Sequence, residues 1–325
     1  MLKFSVVKSD GTETALENPL TVTLDCDLDI PADSAAITCP FDREIYESAQ
    51  GVRIYDDEKL LLKGDVDELS VIKESAGVII KLTARSPAAA LLDCEADPLV
   101  YYNPGLALIA EKHLLPFGII PAETDPVPYY NIFKIDKGMT HWQVLQRFSR
   151  SRYGKEPRIT GDGTAYLQGF LPQGSVTFSD FLPADKAIPY YSLKESDRRH
   201  RLISDVKVKF NPANGYRSVI RNPDPRAKNL RRTRYVNASQ NYSTLSTAYR
   251  ILSNSNRDSY ALTVECAGCH AGLTGFRADL RDSVLGNPGG LIVTKVKYTA
   301  DSRGGRSAIT LKKEDHDVVD ELHNE

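Results

Sequence analysis

Over the first 95 residues, apolar and polar positions alternate in short runs separated by turn-forming residues. Phe4 to Val7 and Thr12 to Leu16 flank Lys8-Ser9-Asp10-Gly11, where Asp-Gly supplies the positive φ that a tight hairpin requires. Thr21 to Leu24 and Ala36 to Cys39 repeat the alternation on either side of a polar loop containing Pro31. Val52 to Tyr55 turns at Asp56-Asp57-Glu58 into Leu60 to Leu62, and Val66 to Ile72 and Val78 to Thr83 close around Lys73 to Gly77. Five or more short strands without a long helical period predict a small barrel or sandwich.

From Pro87 the period changes. Pro104 to Leu115 places Leu106, Leu108, Ile109, His113 and Leu114 on a helical stripe, with Pro104 suited to the first turn and Pro116 to the stop. A segment rich in proline and tyrosine runs from Pro121 to Tyr130. Beyond it, Thr140 followed three residues later by Gln143 fits a capping box, and Met139 is placed to staple onto Val144. Trp142, Leu145 and Phe148 then share one helical face, Arg147, Arg150 and Arg152 sit at the negative end of the dipole, and Gly154 is placed to end the helix. Arg158 to Thr160 and Ala165 to Leu167 form a hairpin around Gly161-Asp162-Gly163.

Strands return in the remainder. Asp205 to Phe210 alternates cleanly, Thr244 to Ser253 predicts a helix, and Tyr260 to Glu265 a strand. Leu291 to Tyr298 and Ser307 to Leu311 predict a closing hairpin whose plan repeats that of Val66 to Thr83, a weak internal repeat. The expected fold class is mainly β with an α+β insertion. Two small β-barrel domains, 1–95 and 171–312, flank a helix-plus-hairpin module at 96–170; the second carries an inserted helix and a basic loop. The charged tail, 313–325, is expected to fray.

A chain of 325 residues can build a full core without disulfides. The start, Met1 to Lys8, lacks the long apolar run of a secretory signal, and no segment reaches the roughly 18 apolar residues of a membrane span, so a soluble chain made in a cytoplasm is expected. Cys26, Cys39, Cys94, Cys266 and Cys269 are odd in number and thinly spread, which is not a secreted disulfide framework.

A net charge of −2 conceals a division along the chain. Residues 1–97 carry 20 Asp/Glu against 9 Lys/Arg, a balance of −11, whereas residues 198–234 carry 12 Lys/Arg against 2 Asp, a balance of +10. Most of the positive charge lies in one loop, where Arg221, Arg226, Lys228, Arg231, Arg232 and Arg234 are candidate partner-binding residues. Opposite poles in one chain favour ordered assembly, because complementary potentials steer encounter and fix register. The loop, with Tyr216 and Tyr235 as stacking faces, also matches the chemistry of nucleic-acid binding. One such loop in a slightly acidic chain points instead to a protein partner or an acidic neighbouring subunit.

Three further constellations carry chemistry. Cys266-Ala267-Gly268-Cys269-His270 matches the spacing of covalent haem attachment and offers three ligands of a zinc site. Against haem stand the missing export signal and a chain with only two methionines as sixth ligands. Strand-end turn geometry with buried thiols is the expected reading, so no cofactor and no metal are assigned. Asp65 and Asp67 fall on one strand face, with Glu68 on the other, and resemble the paired carboxylates of a glycosidase. Acids on a strand edge more often guard it against stray pairing. Phosphate-loop, His-Glu-x-x-His and Gly-x-Ser-x-Gly motifs are absent from the sequence. No catalytic residue is assigned.

Four blocks together resemble the baseplate hub family of contractile phage tails and tail-like particles, which includes late-control D proteins and the hubs of Mu-like and defective Bacillus prophages. They are Val52 to Tyr55 running to Leu62-Lys63-Gly64-Asp65-Val66-Asp67-Glu68; Ala84-Arg85-Ser86 through Leu92-Asp93-Cys94; the capped helix around Trp142 with the hairpin to Leu167; and Pro288-Gly289-Gly290 with the closing hairpin. The resemblance implies a noncatalytic structural protein: a homotrimeric ring whose two similar barrels per subunit match a sixfold tail tube to a threefold spike around a channel. It implies as partners further copies of the chain, a spike protein, a tube or tube-initiator protein and other baseplate proteins, with no membrane and no specific nucleic acid. The place implied is the tail baseplate of a virion or phage-like particle assembled in a bacterial cytoplasm. Ending after the second barrel, the chain is expected to carry no appended cell-wall hydrolase. The alternatives are a tail-associated hydrolase or adhesin on the same scaffold, and a redox or metal protein using Cys266, Cys269 and His270.

Overall fold

The computed structural model describes residues 2–129, 131–181, 186–210, 215–238 and 244–314. Tyr130 of the proline-rich segment and nearly all of the charged tail lie outside them. The chain is mainly β and divides into two compact units, one made of 1–171, 266–275 and 294–309, the other of 172–265, 276–293 and 310–325.

The first unit opens with β1 (Leu2–Lys8), β2 (Glu13–Ala15), β3 (Thr21–Asp27) and β4 (Ser34–Pro40). Gly11, at φ 82°, makes the predicted turn between β1 and β2, which pair antiparallel. A six-residue helix not apparent in the sequence, α1 (Arg43–Ser48), follows; the Asp42 carboxylate caps it by accepting from the N–H groups of Glu44 and Ile45. Next come β5 (Ala49–Asp56), the 16-residue β6 (Lys59–Glu74) and β7 (Gly77–Arg85). The alternation places Val52, Ile54, Leu62, Ile80 and Leu82 inward, and they are buried; Leu61, beside Leu62, is buried as well.

Within the same unit lie α2 (Ala88–Asp93), β8 (Val100–Tyr102), α3 (Leu106–His113), β9 (Ile120–Pro121), β10 (Ile132–Lys134), α4 (His141–Tyr153), β11 (Arg158–Ile159) and β12 (Thr164–Tyr166). The capping box is present: Gln143 N–H donates to Thr140 Oγ1 at 3.3 Å, and Thr140 N–H donates to Gln143 Oε1 at 3.0 Å. Gly154 ends α4 in the left-handed region at φ 67°, as its position predicts. Trp142, Leu145 and Phe148 join Ile109, Leu114 and Ile159 in one apolar core that also holds Met139 and Val144.

The second unit contains β13 (Ser175–Ser179), β14 (Ile188–Pro189), β15 (Ser192–Asp197), β16 (Asp205–Lys209), β17 (Ser218–Arg221), β18 (Thr233–Asn237) and α5 (Thr244–Ser259). They are followed by β19 (Tyr260–Ala267) and β20 (Arg277–Arg281). The closing hairpin, β21 (Leu291–Asp301) and β22 (Gly304–Lys313), is longer than its alternating cores suggest, and its residues are divided between the units. In the second unit β13 runs parallel to β20, and β15 pairs antiparallel with β19.

The ladder of the first unit runs β21–β3–β4–β7–β6–β5–β1–β2, antiparallel throughout. It is an open path, with no ladder joining β2 to β21 among the described residues. Residues from the end of the chain therefore add a strand beside β3, where Lys295 is 2.8 Å from Asp25 and 3.2 Å from Asp27. Among the described residues no helix is long and apolar enough to cross a membrane.

Candidate interaction surface

The basic segment is only partly a loop. Arg221 ends β17, Pro225–Ala227 forms a 3-10 turn, and Arg234 lies in β18. Asn222 anchors the segment by donating from Nδ2 to the Ile203 carbonyl at 2.6 Å and to Asn256 Oδ1 at 2.7 Å. Ala227, just after Arg226, is buried.

Arg226 is occupied by its own fold. Its guanidinium lies 2.6 Å from Asp224 and 3.3 Å from Asp197, donates to Ser259 Oγ at 3.0 Å, and sits 5.9 Å from the Tyr260 ring centroid. Burial works against ionisation of Asp224, yet hydrogen bonds from Arg226 hold its carboxyl below the usual range. Arg232 is held too, donating from Nη1 to the Arg199 carbonyl at 2.7 Å and from its backbone N–H to Ser204 Oγ at 2.9 Å. Arg221, Lys228, Arg231 and Arg234 are exposed. The six candidates therefore divide into two that brace the segment and four that face solvent.

What the sequence does not single out is the sheet beside them. β16 is its centre, antiparallel to β17 and parallel to β18. Val206, Val208 and Val236 turn inward to a core shared with Ala248 and Leu252 of α5. Alternation then sends Lys207 and Lys209 to the other face. Lys207 stands in register between Val219 and Tyr235, and Asp205 between Arg221 and Thr233. The helix covers only the Val206 side, leaving Val219 47% and Tyr235 60% exposed.

The rings of Tyr216 and Tyr235 meet edge to face at 4.9 Å, and the Tyr216 hydroxyl donates to Asn237. Lys207 Nζ lies 5.9 Å from the Tyr235 centroid and Lys209 Nζ 5.8 Å from that of Tyr216, within cation–π range. The clean alternation of residues 205–210 was the available signal for this face.

The cysteine motif forms a turn. Cys266 is buried on β19, where burial pushes its thiol up to about 12; burial likewise pushes Cys269 up to about 11. Gly268 takes φ 85°, and Ser307 Oγ clamps the turn, donating to the Gly268 carbonyl at 2.8 Å and accepting from His270 N–H at 3.0 Å. The His270 ring hydrogen-bonds the Ala267 carbonyl at 3.0 Å. Among the described residues no group of three or more His, Cys, Asp or Glu could hold a metal ion.

The acidic strand also departs from its expected geometry. A register shift between Val66 and Glu68 leaves Asp67 at a bulge, so Asp65 and Glu68, opposite Arg85 and Thr83, share the face expected for Asp65 and Asp67. Arg85 grips Asp67 at 2.6 and 3.0 Å and reaches Asp93 at 2.7 Å. A carboxylate bound in this bidentate way is placed as an ion-pair anchor of the hairpin.

No protein-family model matches this chain, and no curated protein does. Solved structures do. The tail protein from Neisseria meningitidis MC58 matches at TM-score 0.76 and 18% identity, covering 96% of both chains. The 43 kDa tail protein of prophage MuSo2 from Shewanella oneidensis matches at TM-score 0.75 and 13% identity, covering 96% of this chain and 98% of its own. The chain has the fold of phage tail proteins. An E. coli type VI secretion component, c3393, matches less closely, at TM-score 0.53 and 10% identity over 91% of this chain and 74% of its own; it is described as similar to the T4 tail proteins gp27 and gp5. At such identities the likeness speaks of the tail-protein fold alone. The basic segment and its sheet must be read from their own chemistry.

Proposed function

We propose that the chain is a structural, noncatalytic component of a phage or phage-like tail: the central baseplate hub, which assembles as a trimeric ring, joins the tail tube to the spike and encloses the channel. The observation that carries this reading is the end-to-end match of fold to two tail proteins, over 96% of the chain in each case. The weaker likeness to a secretion component described as similar to gp27 and gp5 favours a place at the tip of the tail. Its partners would be further copies of itself, a spike protein, a tube or tube-initiator protein and other baseplate proteins. Arg221, Lys228, Arg231 and Arg234 are exposed cations suited to an acidic partner surface.

Light scattering on the purified protein, alone and mixed with products of neighbouring genes, tests the proposal. A mass of three chains of 36.0 kDa, alone or on adding a spike partner, is the expected result. A persistent monomer in every mixture would overturn it.

A further inference from the structure

The open face of the β17–β16–β18 sheet and the distal half of the β6–β7 hairpin are complementary. Each lacks a cover that its composition calls for. From Val66 onward β6 pairs with β7 alone among the described residues, because its pairing with β5 stops at Asp65. An edge strand of this length invites another chain unless it is protected. Val71 and Ile72 are consecutive and so point to opposite faces, yet they are 41% and 37% exposed. Neither face of the hairpin end is fully covered.

Chemistry selects the occupant. On the Ile72 side, Ile72 is in register with Ile79, Glu68 and Glu74 lie at either end of this apolar pair along the strand, and Lys81, opposite Ser70, is the one cation among them. The sheet face has the opposite arrangement, Val219 and Tyr235 at its centre with Lys207, Lys209 and Arg221 around them, against the single carboxylate of Asp205. Apolar centre would meet apolar centre while carboxylates meet ammonium and guanidinium groups.

We infer that this sheet face is the docking site for the β6–β7 hairpin end of a second copy of the chain. The contact joins two different patches, so it is heterologous, the kind that closes into a ring when the rotation per subunit permits. It rests on the proposed ring assembly and names the surfaces that form it.

Two variants with one introduced cysteine each, Ile72→Cys and Val219→Cys, both built on Cys94→Ser with Cys269→Ser to remove the native thiols that are not buried, test the contact in the full chain. Mixed under mild oxidation, they are expected to give a disulfide-linked pair that neither gives alone. In parallel, Lys207→Glu with Lys209→Glu should lower the trimer fraction by about tenfold or more. Adding Glu68→Lys and Glu74→Lys should restore it.

Absence of the mixed disulfide overturns the docking site whether or not the charge variant folds. If the wild-type chain still forms a trimer, the hub reading survives that loss. A mixed disulfide from a chain that never assembles, even with a spike partner, would support the contact and sink the hub reading instead. Binding of a labelled oligo-dT strand that depends on Tyr235, with no mixed disulfide, would assign the face to nucleic acid and overturn the inference.

Discussion

Arg158 Nη2 lies 2.7 Å from Asp33 Oδ1, with only 6% and 4% of the two side chains exposed. The pair joins β11 to the loop between β3 and β4, and its satisfaction is shared. Arg158 Nη1 donates to the Ile30 carbonyl at 2.7 Å, while Asp33 accepts from Asp27 N–H at 3.1 Å and donates its own N–H to Ser86 Oγ at 3.1 Å. Removing one partner strands the other charge out of water. Arg158→Met is therefore expected to cost about 3–5 kcal/mol, read as a lower urea midpoint. Adding Asp33→Val should return part of that loss, and a double variant weaker than the single would contradict the pairing argument.

Gly161 occupies a position that admits no side chain. Its carbonyl accepts from Lys63 N–H at 2.8 Å, and a Cβ there would collide with the Leu61 carbonyl. Gly161→Ala must separate the hairpin of β11 and β12 from β6. A loss of about 1–3 kcal/mol is expected by thermal melting. Gly138→Ala, at φ 85° but with open space around it, should lose less. Gly161 itself lies outside the left-handed region, so a Gly161→Ala variant as stable as wild type would refute the close approach.

His113 and His141 face each other through Nδ1 atoms 2.9 Å apart, while the Tyr101 hydroxyl lies 3.2 Å from His113 Nε2. Burial first, then the neighbouring imidazole, lowers His113 to about 4, with Asp97 pulling the other way; burial lowers His141 too. The native state thus keeps His113 neutral where the unfolded chain takes up a proton near pH 6.5. This stability is complete above pH 6.5 and drains away as pH falls towards 4. For His113 it amounts to about 3 kcal/mol. The stability difference between wild type and His113→Gln, measured by urea denaturation from pH 7 to pH 4, should shift in favour of the variant. A constant difference would refute the assignment.

The basic residues should behave as two classes. Arg226→Ala breaks contacts to Asp224, Asp197 and Ser259, so about 1–3 kcal/mol of stability should be lost. Arg231→Ala removes an exposed charge and should change stability by at most about 0.5 kcal/mol. Circular dichroism melts of the two variants separate bracing from surface roles, and identical melts would erase the distinction.

Thr140 supplies a local test. Thr140→Ala removes the acceptor for Gln143 N–H and should cost about 1 kcal/mol in denaturant unfolding. Thr140→Ser keeps the oxygen and should preserve most of the stability; a serine variant as weak as the alanine one would place the effect elsewhere.

Local signals were enough for much of this protein. The Asp10-Gly11 turn, the box from Thr140 to Gln143, the stop at Gly154 and the inward residues of β5 to β7 all depend on neighbours a few positions away, so the sequence alone determined them. The order of these elements also carried the resemblance to tail hubs, and the fold agrees with it. Partnerships between distant segments depend on which surfaces meet once the chain has collapsed. Only the tertiary structure placed β21 beside β3, Asp33 beside Arg158 and Gly161 against Leu61.

The candidate surface shows the same limit. Six cations within fourteen residues were plain in the sequence, but not that Arg226 and Arg232 turn back into the fold while Lys207 and Lys209 turn out. Charge belongs to the residue type. Whether it meets solvent, a carboxylate or a tyrosine ring depends on strand register and on which face α5 covers, and those follow from packing between segments that are far apart in the chain.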